Sequence, residues 1–571
     1  MCKELQLEIR ALVATRAPDD TYLLERQRIY KRRVKHLVRK HRAAVAIQTC
    51  QQWRTDRNAF WRSYKPKGAT CPFPASKLAE HFKIKMNSWD QTATSPVPTD
   101  PQHNIDVTST SAGLGEIVAA LQRSSNTSAG IDGIPMALLK PHMPQLPDGA
   151  CSNSDAEEPP DAAAALTTIA SMLQRLYSKV AGTGVVPLQW QSAVLTPIYK
   201  QKGDVNDLGN YRPLSVPTVT CRLWSTITNH RLMQEIGDIL PDSMFGFRPD
   251  RSCIDPLFLL RHLHDAKRAN ASKIFAAAFM DLSGAYDSVN RSLLFDKLVN
   301  IGVQPHTIKL LKSLYTNNQC IVKCAQGTAQ PFLVHCGLRQ GCPLSTTLFN
   351  LYIYDLQAHL HRTCPNAGVR LTRAGTSPPR MLTDVGYADD ITMLANSQHE
   401  LQQLLDAFVA YCKQHDLHIN PSKCQVVVFA RKNAWPKASW HVEGKPLERV
   451  DAFKYLGVML HGSSGIGKTI DHRLGCMSRA QSAVYQRMKQ LGLHQEVMLM
   501  TDLFDIAAKS AGDYGCEIWS TPWLGDGCLH KCDLQKFHCS TLLTLRRCLG
   551  VSKGTAFNSH VAGGFYRALV P

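Results

Sequence analysis

Nothing in the 571-residue sequence would carry it through a bilayer as a helix, because no run of about 18 apolar residues occurs. The amino terminus, Met1-Cys2-Lys3-Glu4, opens without an apolar signal region. Nineteen cysteines are present but no two are spaced Cys-x-x-Cys, so neither a zinc ribbon nor a disulfide framework is supported. A reducing compartment is therefore expected. Together these absences predict a soluble intracellular chain, nuclear or cytoplasmic, with no membrane partner. Acidic residues are also in short supply, with 46 Asp and Glu against 65 Lys and Arg and a formal net charge of +19. That excess points to an acidic partner, most often nucleic acid, although plain solubility or an anionic membrane would satisfy the charge alone.

The charge is concentrated. Residues 1–70 hold 17 Lys and Arg against 6 Asp and Glu, so +11 of the +19 lies in about an eighth of the chain. Arg26, Arg28, Lys31, Arg32, Arg33, Lys35, Arg39 and Lys40 fall on a stretch free of Gly and Pro, which predicts a basic helix. Such a helix could track phosphates or act as an import signal; a solvated charged face explains it equally well. Composition shifts to Thr, Ser, Pro and Asp from Thr92 to about Gln102, as in a linker, and residues near 144–161 read as a disordered surface insertion.

The densest chemistry is at Tyr387-Ala388-Asp389-Asp390, two adjacent carboxylates between apolar runs, as a β-hairpin would present them at its tip. Adjacent anions repel, and a hard divalent cation with a preference for oxygen would hold them together. Asp281 supplies a third carboxylate at the end of the strand-like run Phe275 to Met280, where a buried charge is costly without a counter-ion. Tyr286 follows five residues on. Upstream, an apolar strand leads into a cationic turn carrying Lys200 and Lys202, and a second short strand carries Arg212. Cations on one hairpin could clamp a triphosphate, or form an ordinary charged hairpin.

Gly337 to Ser345 includes Gln340 and Gly341 and is read as a loop opening a helix at Thr346 that runs through Leu348, Phe349, Leu351, Tyr352 and Leu356. An amphipathic helix through Leu401, Leu404, Leu405, Phe408 and Cys412 leads to Lys423 and a strand from Gln425 to Phe429. Phe453 to Leu460 reads as a final strand. Two patterns are discounted. Gly462 to Thr469 satisfies the phosphate-loop pattern but lacks a following parallel strand ending in Asp, and Cys528, His530, Cys532, His538 and Cys539 have no standard finger spacing, so no zinc is expected.

In order and composition the segments IYKQKGD, NYRPLS, FGFRPDRS, MDLSGAYDSV, GLRQGCPLSTTLFNLYI, YADD, LHINPSKC and FKYLGVML resemble a reverse transcriptase of the non-LTR (LINE-type) retrotransposon class, over about Ser128 to Leu460. The resemblance implies an α+β fold, a right-hand polymerase of fingers, a palm with an antiparallel sheet, and a helical thumb, preceded by a basic helical extension. Domain bounds follow as 1–105 for the extension and linker, 106–270 for the fingers, 271–460 for the palm, and 461–571 for the thumb and C-terminal extension. The implied activity is RNA-directed DNA polymerisation, with two Mg2+ ions, or Mn2+ as substitute, held by Asp281, Asp389 and Asp390. Lys423 matches the proposed general acid and Tyr286 the aromatic that disfavours a ribose 2′-hydroxyl. Lys200 or Lys202 and Arg212 match the triphosphate contacts, Gln340 and Gly341 the loop at the nascent base pair, and Tyr455, Leu456 and Gly457 the primer grip. RNA template, DNA primer, target DNA and dNTPs are the expected partners. Such elements usually encode an endonuclease upstream and often a Cys/His knuckle downstream; if the chain is a fragment or degenerate copy, the priming nick would require another protein. The alternative is a domesticated or inactive RNA-binding remnant, which a primer-extension assay separates.

Overall fold

A computed structural model describes residues 21–64, 71–89, 91, 103–108, 111–140, 160–269, 274–371, 381–430, 438–462, 467–493 and 496–519. The chain divides into two compact units, one of Thr70–Ser463 and one formed by both ends, Met1–Ala69 with Ser464–Pro571. The strands that position the site, all in the first unit, are β1 (Ser192–Tyr199), β2 (Tyr211–Val216), β3 (Phe275–Met280), β4 (Gln319–Cys324), β5 (Asp384–Tyr387), β6 (Asp390–Ala395), β7 (Gln425–Phe429), β8 (Ala452–Tyr455) and β9 (Val458–His461).

The central sheet is built on β3, whose six residues are all buried. It pairs antiparallel with β6 on one side and β7 on the other, and β6 continues into β5. Burial on both faces explains why β3 reads as a continuous apolar run rather than an alternation. The period of two still sorts its faces. Ala276, Ala278 and Met280 join Ile391, Met393, Val426 and Val428 in a core shared with the helices Arg291–Ile301, Pro343–Tyr352 and Gln398–Gln414. The other face carries Phe279, on which Phe453 of the β8–β9 hairpin stacks at 4.1 Å between centroids. Stacked aromatics of this kind add about 0.5–1.5 kcal/mol beyond the area they bury.

A second sheet sets β1 antiparallel to β2 and parallel to β4. The helix Ala75–Asn87 covers it, Leu78, Phe82 and Met86 packing with Leu195, Tyr211 and Val322. The sequence reading groups this helix with the N-terminal extension; its apolar face belongs to the same core as β1 and β4.

The helix after Gly341 begins at Pro343 rather than Thr346 and ends at Tyr352, and Leu356 opens a separate helix, Leu356–Thr363. Proline at the first helical position has its φ preset and lacks only an N–H that would have no intrahelical partner. Phe453 to Leu460 is a hairpin, not one strand, because Leu456 and Gly457 both take positive φ, 42° and 85°, as a two-residue turn requires.

In the terminal unit the basic stretch is helical, Thr21–Thr55, and packs with Gly467–Leu491. Trp53 and Phe60 share a core with Val484, Met488, Leu499 and Leu503, and the Trp53 indole N–H donates to Asp502 at 2.9 Å. The linker 92–102, residues 144–159 of the expected insertion, residues 463–466 of the phosphate-loop pattern and the cluster from Cys528 to Cys539 lie outside the described residues, while Pro160 and Asp161 open the helix Pro160–Thr183. Among the described residues no helix is long and apolar enough to cross a membrane.

Candidate active site

Strand register brings the three aspartates together. Ile391 pairs with Met280, so one further step along β6 and β3 sets Asp390 opposite Asp281. By the period of two, both fall on the face of Phe279 and Thr392, away from the helical layer. Asp389 precedes Asp390 in a tight hairpin, where Tyr387 pairs with Asp390 and only Ala388 and Asp389 form the turn. Ala388 takes φ 58°, a conformation that costs a non-glycine residue about 1 kcal/mol.

The turn is held from outside. Gly386 and Met244 form a parallel bridge, the Phe245 N–H donates to the Gly386 carbonyl at 2.8 Å, and the Gly386 N–H donates to Ser243 O at 2.8 Å. A Cβ on Gly246 would lie 2.4 Å from the Ala388 nitrogen, so only glycine admits the turn so closely. Asp384, buried, accepts from the Ser243 and Thr383 hydroxyls at 2.9 and 2.8 Å. The FGFRPDRS segment is thus a buttress for the paired aspartates. Its sequence signal was the glycine between two aromatics, which by itself names no partner.

The electrostatics are those of crowded anions. Asp389 and Asp390 reach solvent, yet the protein mass around them raises both carboxyl pKa values; for Asp389 the Asp281 charge adds to this and Arg212 opposes it. Asp390 is pushed up to about 6, by desolvation first and then by Asp389 and Asp281. Asp281 has its own cation, with Lys423 Nζ 3.3 Å from Oδ2. The Tyr286 ring stacks on Phe349 at 4.7 Å, and burial together with the Asp389 charge raises its phenol. Among the described residues its hydroxyl is buried without a hydrogen-bond partner.

On the second sheet Arg212 lies directly across from Ile198, next to Lys200 at the end of β1. The Lys200 ammonium donates to Gly209 O at 2.6 Å, and its pKa is lowered by desolvation, then by Lys85, Arg212 and Lys423, with Asp207 opposing. Lys202 is exposed in the turn that follows. The loop carrying Gln340 and Gly341 docks on β2, where Ser215 N–H donates to Gln340 O at 2.8 Å and a Cβ on Gly341 would meet Leu214 at 2.9 Å. The Gln340 amide donates to the buried Asp287 at 2.8 Å, a partner the sequence did not suggest. Burial raises the Asp287 carboxyl, with Lys85 and Gln340 opposing. Tyr455 is buried beneath the aspartate hairpin, its phenol raised by burial, with the Asp390 charge adding to the shift.

Among the described residues no three acidic, His or Cys side chains converge closely enough to hold a metal ion. The donor chemistry nevertheless fits a hard divalent cation: three carboxylates act on one another, and two are held above their ordinary pKa in part by that repulsion. A stability consequence follows. A carboxyl raised from 3.8 to about 6 in the folded state binds more protons there than in the unfolded chain, so its contribution falls as pH rises between those values. Asp390→Asn is therefore expected to melt at or above the unaltered chain at pH 7 without divalent ions, the gap narrowing toward pH 4. Thermal melting across that range checks it, and a lower melting point for the variant at pH 7 would contradict the repulsion.

Residues 198–460 match the family model described as reverse transcriptase (RNA-dependent DNA polymerase). A probable RNA-directed DNA polymerase from transposon BS of Drosophila melanogaster is 28% identical over 56% of this chain and 34% of its own length. The RNA-directed DNA polymerase from mobile element jockey of the same species is 26% identical over 50% of this chain and 31% of its own. Among solved structures, telomerase from Candida tropicalis with a fragment of telomeric RNA has a TM-score of 0.36 at 12% identity, covering 68% of this chain and 63% of that one, too loose a likeness to build on. The chain spans about a third of the length of the two transposon relatives. The paired aspartates on their buttressed hairpin lie within the stretch, residues 198–460, that is similar to reverse transcriptases, and the curated relatives it resembles are those of non-LTR, LINE-type retrotransposons.

Proposed function

We propose that the chain is an RNA-directed DNA polymerase of a non-LTR retrotransposon, adding dNTPs to the 3′-hydroxyl of a DNA primer on an RNA template. The observation that carries this reading is the meeting of Asp281, Asp389 and Asp390 at one end of β3 and β6, with Lys423 paired to Asp281. In this reading the β1–β2 sheet is the fingers, the β3 sheet the palm, and the helices after residue 467 the thumb. Magnesium held by the three aspartates would supply Lewis-acid activation of the primer hydroxyl and neutralise phosphate charge. Lys200 and Arg212 bind the triphosphate, Arg212 with a forked donor set and Lys200 as a point charge. Lys423, an ammonium beside the reacting phosphates, donates a proton to the departing pyrophosphate. Tyr286, fixed against Phe349, fills the space a ribose 2′-hydroxyl would need. Gln340 and Gly341 border the nascent pair, and the turn Tyr455-Leu456-Gly457 bears on the primer.

The test is primer extension. Purified chain with Mg2+ and dNTPs is expected to extend a DNA primer on an RNA template. RNA binding without extension, at any divalent ion tried, would instead mark a domesticated remnant.

A further inference from the structure

The buttress that holds the aspartate hairpin also carries an exposed aromatic. Phe247, the second phenylalanine of FGFRPDRS, is 49% exposed and takes φ 58°, a left-handed conformation that suits glycine and strains a bulky side chain. Its neighbours enforce that backbone. The Gly246 carbonyl accepts from the buried Asn350 amide at 2.8 Å, and Gly246 lies against Ala388 too closely for any side chain. On the other side the Arg248 guanidinium donates to the carbonyls of Pro241 at 2.7 Å, Gly237 at 3.0 Å and Met244 at 3.2 Å. Packing does not account for a phenylalanine here. A residue so exposed gains little from the core, and glycine would hold the turn with less strain.

The sheet sets where the ring stands. Tyr387 is the register partner of Asp390, and Asp390 lies opposite Asp281 one step beyond the Ile391–Met280 pair, so the three side chains share one face. The Phe247 ring continues that row, 6.3 Å from the Tyr387 ring at an interplanar angle of 37°. With strands about 4.8 Å apart, the ring is on the order of 10 Å from Asp390, roughly three nucleotides along a strand at about 3.4 Å each. A primer whose 3′-end meets the aspartates therefore has its last few nucleosides within reach of this row. Every nucleoside offers a flat face, and an exposed aromatic on a chain of net charge +19 is suited to stack on one. From this arrangement we infer that Phe247 is a binding residue for the primer strand, its ring packing on a nucleoside within about three of the 3′-terminus. The enforced turn keeps the ring in place before the primer–template arrives, so little order is lost on binding.

This assignment rests on the polymerase reading. The measurement is release of a DNA primer annealed to an RNA template from the full chain, with excess unlabelled duplex as trap, alongside the mean length added per binding event. Phe247→Ala is expected to speed release about tenfold and to shorten the products, with KM for dNTP within about twofold, as the loss of one base–aromatic contact predicts. Phe247→Trp should restore retention. Phe258→Ala removes an aromatic of similar exposure, 54%, from the helix Ile254–Ala269 and should change neither quantity. If Phe247→Ala fails to fold, Phe247→Gly, which the turn's φ favours, is read the same way. Unchanged release, or a rise in KM for dNTP alone, overturns the assignment while leaving the polymerase reading intact. No extension by the unaltered chain overturns both.

Discussion

Asp389→Asn is expected to abolish primer extension, lowering the rate at least about a thousandfold, equivalent to about 4 kcal/mol of barrier. The substitution is nearly isosteric and leaves the turn's backbone bonds in place, since Gly386 and Phe245 contribute main-chain atoms only. What it removes is a charge placed among Asp281, Asp390 and Arg212. Binding of primer–template should survive, because the basic groups are untouched, and the melting temperature should hold or rise. Rate and stability moving in opposite directions is the signature of a group kept for chemistry at the fold's expense. Full activity in this variant would remove the basis for the site.

Arg339→Met is expected to act on the scaffold instead. The guanidinium is 3% exposed and donates to the carbonyls of Trp190 at 2.6 Å, Gln191 at 3.0 Å and Leu314 at 2.8 Å, and to Asn318 Oδ1 at 3.0 Å. It has no carboxylate partner among them, so its charge is compensated by dipoles alone. Methionine fills the volume but strands those acceptors. Each buried unsatisfied acceptor costs about 1–3 kcal/mol, partly offset by no longer burying a charge, so a net loss of about 3–5 kcal/mol is expected. Against a typical domain stability of about 5–15 kcal/mol that brings the unit close to unfolding. A urea midpoint indistinguishable from the unaltered chain would refute the account.

These residues also mark what could be read from the chain alone. The hairpin at Tyr387 to Asp390 was legible because adjacent carboxylates between apolar runs are locally distinctive, and β3 because an apolar run ending in Asp needs a counter-ion. Lys200 and Lys202 were not separable from sequence; in the fold the Lys200 ammonium donates to Gly209 O, while Lys202 lies in the turn beyond. The start of the helix at Pro343 is not legible in the sequence, because Pro suits the loop as well as the first turn. Ser243 and Met244 carry no local signal at all. Their relevance comes from contacts across the chain, such as Ser243 with Asp384, 141 positions away, which no periodicity encodes. Gly284 illustrates the same limit: its neighbour is a tryptophan nearly two hundred positions upstream.

The union of both chain ends in one unit has a bearing on synthesis. Trp53 and Asp502 are 449 positions apart, so the partner of the first aromatic cluster leaves the ribosome long after it. At about 5–20 residues per second that delay is roughly 20–90 s, during which Trp53, Phe60 and Trp61 have no core to enter. The early helix must wait in the open, cationic and partly apolar, while the whole intervening unit is made. A bound RNA or a chaperone would shield it in that interval, and nascent chains halted before residue 484 should be markedly more prone to proteolysis around residues 53–64 than finished ones.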